Sequence, residues 1–110
     1  MAFRTLFIAH APDADKERHR SVIDTGMYQL FTVVVKNQEQ AVEIGADFVK
    51  RKHIDSILLC PGFSHSDVAE IAKTVGSDVA IAVARGDGPS SKVSQEARKR
   101  EGYFTKRGKE

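Results

Sequence analysis

Apolar residues in this chain fall in short runs separated by polar, glycine- and proline-containing turns. Phe3–Ala9 (FRTLFIA) is rich in β-formers and stops at HAPDAD, which predicts a first strand. Tyr28–Lys36 (YQLFTVVVK) predicts a stronger second strand, with Val33, Val34 and Val35 in unbroken succession. Such a run suits a strand covered on both faces, as in a parallel sheet. Ile54–Cys60 (IDSILLC) and Asp78–Ala84 (DVAIAVA) predict a third and a fourth strand.

Helical periodicity fills most of the intervals. After Asn37, with Gln40 three residues on in a capping-box pattern, Val42, Gly45, Ala46 and Val49 recur at i, i+3, i+4 and i+7. Ala41, Ile44 and Phe48 widen that stripe, and KRKH closes the helix with positive charge at its carboxyl end. Ser64 with Asp67 marks a second helix start, Val68, Ile71, Ala72 and Val75 its buried stripe, and Gly76 its stop. A last helix begins at Pro89-Ser90-Ser91 and runs to about Arg100 on a thin stripe of Val93 and Ala97, with Phe104 beyond. The stretch Asp13–Gly26 has helix formers but only Val22 and Ile23 as large apolar residues. A short helix is the favoured reading, with an extended RSVIDT beside the second strand as the alternative.

Alternating strands and helices predict an α/β fold: three layers, with a four-stranded, mainly parallel sheet between helices on both faces. Right-handed crossovers give the order 2-1-3-4, a Rossmann-like or flavodoxin-like layout. Residues 1–104 form the expected single domain and 105–110 a basic tail expected to be disordered.

Composition bounds the function. A chain of 110 residues, 41% hydrophobic and 29% charged, is too apolar for disorder and too short for two domains. A core of this size is adequate but not generous, which makes a homo-oligomer the expected state. Net charge is +2, yet Lys92–Glu110 carries seven Lys/Arg against three Glu, so 7 − 3 = +4 lies in that segment and −2 in the rest. No aromatic interleaving or nucleic-acid motif accompanies these cations, so they read as a solvated helix face and not as a nucleic-acid contact. One cysteine excludes an internal disulfide, Met1-Ala2-Phe3-Arg4 lacks a signal-peptide core, and no apolar run approaches a membrane span. The cytoplasm is the expected location, with no membrane partner.

In a sheet of this kind ligands sit outside the carboxyl ends of the strands, where strand order reverses. That point lies between the first and third strands, which end in His10 and in Cys60-Pro61-Gly62-Phe63-Ser64-His65; the fourth delivers Arg85-Gly86-Asp87-Gly88-Pro89-Ser90-Ser91. His10 and His65 are the catalytic candidates. His10 is a general base, a metal ligand, a ligand contact or a half-exposed loop histidine. His65, at the first turn of a helix whose dipole disfavours imidazolium, is a neutral base or an exposed polar residue. Cys60 is a nucleophile if a helix N-terminus stabilises its thiolate, but a small apolar residue closing a strand is the favoured reading.

Arg85 offers a fork to a carboxylate or phosphate, or is neutralised by Asp87 two residues on. Gly86, Asp87, Gly88, Ser90 and Ser91 complete the ligand-binding candidates: glycines allow close backbone approach, and serine hydroxyls and free helix N–H groups suit an anion. The same letters also spell a strand end and a helix start. No G-x-G-x-x-G, G-x-x-x-x-G-K-[ST], Cys-x5-Arg or zinc spacing is present, so no metal site and no particular cofactor is implied. The expected partner is a small anionic ligand, phosphorylated or carboxylic, with acid–base chemistry favoured over covalent catalysis; the alternative is a non-catalytic homo-oligomeric module.

LLCPGFSH, VARGDGPSS and VVVKNQEQAVE together resemble a family of small single-domain prokaryotic proteins of unknown function. The resemblance runs from the first strand to the last helix. It implies a compact α/β domain and brings no reaction and no site residue with it.

Overall fold

A computed structural model describes residues 1–104 of the chain; the expected tail at 105–110 lies outside them. Five strands and three helices follow one another as β1 (Phe3–His10), β2 (Arg20–Asp24), β3 (Tyr28–Val35), α1 (Gln38–Lys52), β4 (Ser56–Leu59), α2 (His65–Val75), β5 (Ala80–Val83) and α3 (Gly88–Arg100). The strands form one mixed sheet in the order β2-β3-β1-β4-β5. The β1, β3, β4 and β5 pairings are parallel and reproduce the predicted 2-1-3-4 order; β2 joins the β3 edge antiparallel.

The fifth strand corrects the favoured helix over 13–26. Residues Arg20–Asp24 pair with Val33–Gln29 and are exposed throughout. Their backbone is satisfied by the ladder, and the Asp24–Tyr28 turn closes it: Gly26 takes φ +98°, its N–H donates to Asp24 Oδ1 at 2.8 Å, and Thr25 N–H donates to Tyr28 O at 2.9 Å. A two-residue apolar pair cannot anchor a helix, whereas hairpin hydrogen bonds anchor an edge strand without a buried stripe.

This exchange also removes the third layer. In the expected layout a helix between the first two strands would lie on the face opposite to the others. Here the chain returns from β1 to β3 through β2, within the plane of the sheet. The two remaining crossovers, β3-α1-β4 and β4-α2-β5, run in the same direction across the sheet, so a common hand places α1 and α2 on the same face. They meet there: a Cβ at Gly45 of α1 would lie 3.7 Å from Val75, 3.8 Å from Ile57 and 3.9 Å from Ile71. Gln38 ties them further, its Nε2 donating to Asp67 O and to Glu70 Oε1. No residue of α3 is buried.

The core is therefore one-sided. Leu6, Ile8, Val33, Val35, Ile57 and Leu59 share the helical face of the sheet by register and are fully buried against Ala41, Ile44, Phe48 and Ile71. The other face carries Phe3, Thr5, Phe7 and Ala9 of β1, Tyr28, Leu30, Thr32 and Val34 of β3, Ser21 and Ile23 of β2, Ser56 and Leu58 of β4, and Ala80 and Ala82 of β5. Phe3 and Ile23 are 53% and 60% exposed, and the Phe3 and Tyr28 rings stack with centroids 5.8 Å apart.

Helix ends follow their sequence signals. Asn37 Oδ1 accepts from Gln40 N–H at 2.9 Å, while Gln40 Oε1 reaches back one residue further than in a capping box, to Lys36 N–H. Ser64 and Asp67 form the complete reciprocal box. Among the described residues no helix is long and apolar enough to cross a membrane.

Gly45 is buried in mid-helix, yet its neighbours leave ordinary van der Waals room for a methyl group. Gly45→Ala is expected to stabilise the fold by about 0.5–1 kcal/mol through helix propensity and chain entropy, raising Tm by about 2–4 °C. Ile57→Ala, at a fully buried site, is expected to cost about 3 kcal/mol. Thermal and urea melts of the two variants read both.

Candidate functional site

A cleft of about 520 Å³ opens at the carboxyl ends of the parallel strands. Four chain regions line it: His10-Ala11-Pro12 after β1, Lys36 after β3, Cys60-Pro61-Gly62 after β4, and Ser91, Ser94 and Arg98 of α3 together with Tyr103 and Phe104. Each strand delivers its residue because parallel strands end on the same edge, and α3 crosses above that edge after leaving β5.

His10 is the last residue of β1 and is half-buried. Its ring lies against Phe63, centroids 4.1 Å apart, and Phe63 is itself packed into the core just ahead of the Ser64 cap. On its other side His10 Nδ1 is 3.9 Å from Cys60 Sγ. Gly62 borders the pair closely: a Cβ there would stand in van der Waals contact with both, 3.4 Å from His10 Nδ1 and 3.6 Å from Cys60 Sγ. Burial pushes the Cys60 thiol up, but hydrogen bonding to the His10 ring and to the backbone amides of Gly62 and His10 outweighs it, so the thiol sits below its ordinary value. Cys60 also packs against the core, as its small apolar character suggests.

Charge in the cleft is of one sign. Lys36 and Arg98 are its charged lining residues, and no carboxylate lines it among the described residues. Neither cation has a carboxylate within ion-pair distance among those residues. Arg98 lies instead over the Phe104 ring, 5.6 Å from its centroid. Ser91, Ser94 and Arg98 fall at i, i+3 and i+7, so one face of α3 presents two hydroxyls and a guanidinium.

Of the residues singled out from the sequence, His10, Cys60 and Ser91 line the cleft. Gly86 borders it: a Cβ there would lie 3.5 Å from the Ser91 hydroxyl and 3.6 Å from Pro61. Arg85, Asp87, Gly88, Ser90 and His65 do not line it. The Arg85 side chain is 88% exposed and its Nε donates to Asp87 Oδ1 at 2.7 Å, which leaves the α3 N-terminus without a side-chain cap. His65 is exposed in the first turn of α2. Among the described residues no three His, Cys, Asp or Glu side chains converge as metal ligands do.

Lys36, Ser94 and Arg98 were not selected from the sequence. Lys36 follows β3 as His10 follows β1, so the strand-end rule that selects His10 also reaches it on the other side of β1. The α3 pair was hidden because an apolar stripe orients a helix only when it is buried, and Val93 is 68% exposed.

Cys60 alkylation by iodoacetamide is expected to follow a titration midpoint below that of an ordinary thiol, because only the thiolate reacts and the folded environment favours it. His10→Ala removes a lowering interaction and leaves the burial, so its midpoint moves upward. Rates measured across a pH series for both proteins check the order.

Residues 3–98 match the model of a family described as a family of unknown function (DUF6506). Neither the comparison with curated proteins nor that with solved structures returned a match.

Proposed function

The chain belongs to the DUF6506 family, and we propose that it binds a small anionic molecule, phosphorylated or carboxylic, in the cleft above β1, β3 and β4. The observation that carries this reading is the lining itself: two cations without carboxylate partners among the described residues, two serine hydroxyls and no acidic side chain. A guanidinium with no carboxylate partner, beside hydroxyl donors, is the arrangement that carboxylate and phosphate oxygens satisfy. The apolar remainder of the lining, from Pro12, Pro61 and Phe104, suits the carbon skeleton of a metabolite.

On this reading Lys36 and Arg98 hold the anion and Ser91 and Ser94 orient it. His10, wedged between Phe63 and Cys60, is the group available to exchange a proton with the bound molecule. The Arg85–Asp87 pair fixes the turn into α3 and takes no part in binding.

A panel of phosphate, phosphate esters and small carboxylates tests the proposal by thermal shift. A true ligand at ten times its Kd is expected to add about 1.4 kcal/mol and raise Tm by about 6 °C. Arg98→Ala and Lys36→Ala are each expected to weaken that ligand about tenfold at low salt, with the unliganded Tm nearly unchanged, and Arg85→Ala to leave the affinity as it was. If no anion of the panel shifts the wild-type Tm, or if Arg85→Ala alone abolishes the shift, the cleft reading is wrong.

A further inference from the structure

Outside the cleft, the bare face of the sheet is a second feature of apolar composition. Fourteen side chains of the five strands point to it by register, and none of them is charged. In a chain with 29% Asp, Glu, Lys and Arg, a solvated strand face would alternate into charge, as the helical side does at its rim with Arg4, Arg20 and Asp24. Sheets built from parallel strands are found covered on both sides. Here α1 and α2 share one side, and α3 buries nothing.

We propose that a second copy of this chain covers this face, the two sheets packing face to face about a two-fold axis. The area is right for it. Five strands at about 4.8 Å spacing and with a mean length near 19 Å present roughly 450 Å² in flat projection, and protruding rings at Phe3 and Tyr28 add to the accessible surface. Two such faces approach the roughly 1,000 Å² that separates a specific interface from an incidental contact. Charge favours self-association as well: a face without charged groups meets its own copy without like-charge repulsion, the condition an isologous contact imposes. The chain's own α3 cannot serve, because Val93 is its one large apolar residue and stands exposed. Aligned sheets would pack about 10 Å apart, with Leu30 and Leu58 in the interior and Phe3 and Ile23 toward the rim.

Adjacent residues of β2 supply the test. Val22 and Ile23 are 56% and 60% exposed but face opposite sides of the sheet, Val22 toward the α1 side and Ile23 toward the bare side. The wild-type chain of 110 residues is expected to sediment at twice its 12.1 kDa mass. Ile23→Glu combined with Ala82→Glu, both at exposed positions of the bare face, is expected to raise the dimer dissociation constant at least about tenfold while circular dichroism stays native, since carboxylates at both flanks of the closed faces would be partly desolvated with no cation opposite. Val22→Glu is expected to leave the dimer intact. A wild-type monomer across the concentration series overturns the proposal. So does a Val22→Glu variant that dissociates as readily as the bare-face pair, which would point to pairing through the β2 edge.

Discussion

Strand β1 is hydrogen-bonded along both edges, to β3 over all eight residues and to β4 over Thr5–Ile8. Because both partners run parallel to it, the side chains at each level of the three strands face the same way, and Leu6 with Phe31 and Ile57, then Ile8 with Val33 and Leu59, form successive rows beneath α1 and α2. A single-residue slip in either pairing would carry these rows to the other face. The same parallel register brings His10, Lys36 and Cys60 out on one edge. Core and cleft are thus two readings of one alignment, and neither can shift without the other.

The route by which the chain passes from β1 to β3 decides the number of layers. A helix there would have covered the second face and left the edge of β3 open. A strand covers the β3 edge and leaves the second face open. The hydrogen-bonding need of a half-buried strand and the apolar need of a sheet face cannot both be met by one fourteen-residue segment, and its sequence, poor in large apolar residues, suits the first. What remains is a mainly parallel sheet with α1 and α2 on one side, and a second face that carries no charged residue.

The four parallel strands, their order and the caps at Asn37 and Ser64 were legible in the sequence because local signals and tertiary packing agree there: unbroken apolar runs became central strands, and amphipathic stripes met one another. The β2 strand was legible only as the less favoured alternative to a helix, because its five residues bury nothing and are held by backbone hydrogen bonds that leave no mark on side-chain pattern. For the site, strand-end reasoning reached His10 and Cys60, while Arg85 drew attention as a charge at the sheet rim that Asp87 in fact neutralises. Of the two cations that line the cleft, Lys36 lies within reach of the same strand-end rule, while Arg98 stands on a helix whose own apolar stripe gave no orientation. A polar face can be read from sequence only once its opposite face is known to be buried.

The two walls of the cleft differ in how they are anchored. His10, Lys36 and Cys60 are fixed to strands of the core, whereas Ser91, Ser94 and Arg98 belong to a helix with no buried residue and no side-chain cap, its first turn held by Ser91 N–H on Asp87 O. Such a helix contributes little to global stability and opens at low free-energy cost. Any molecule gripped by both walls therefore adds its binding energy to the helix–coil balance of α3, and amide exchange in α3 would report occupancy of the cleft.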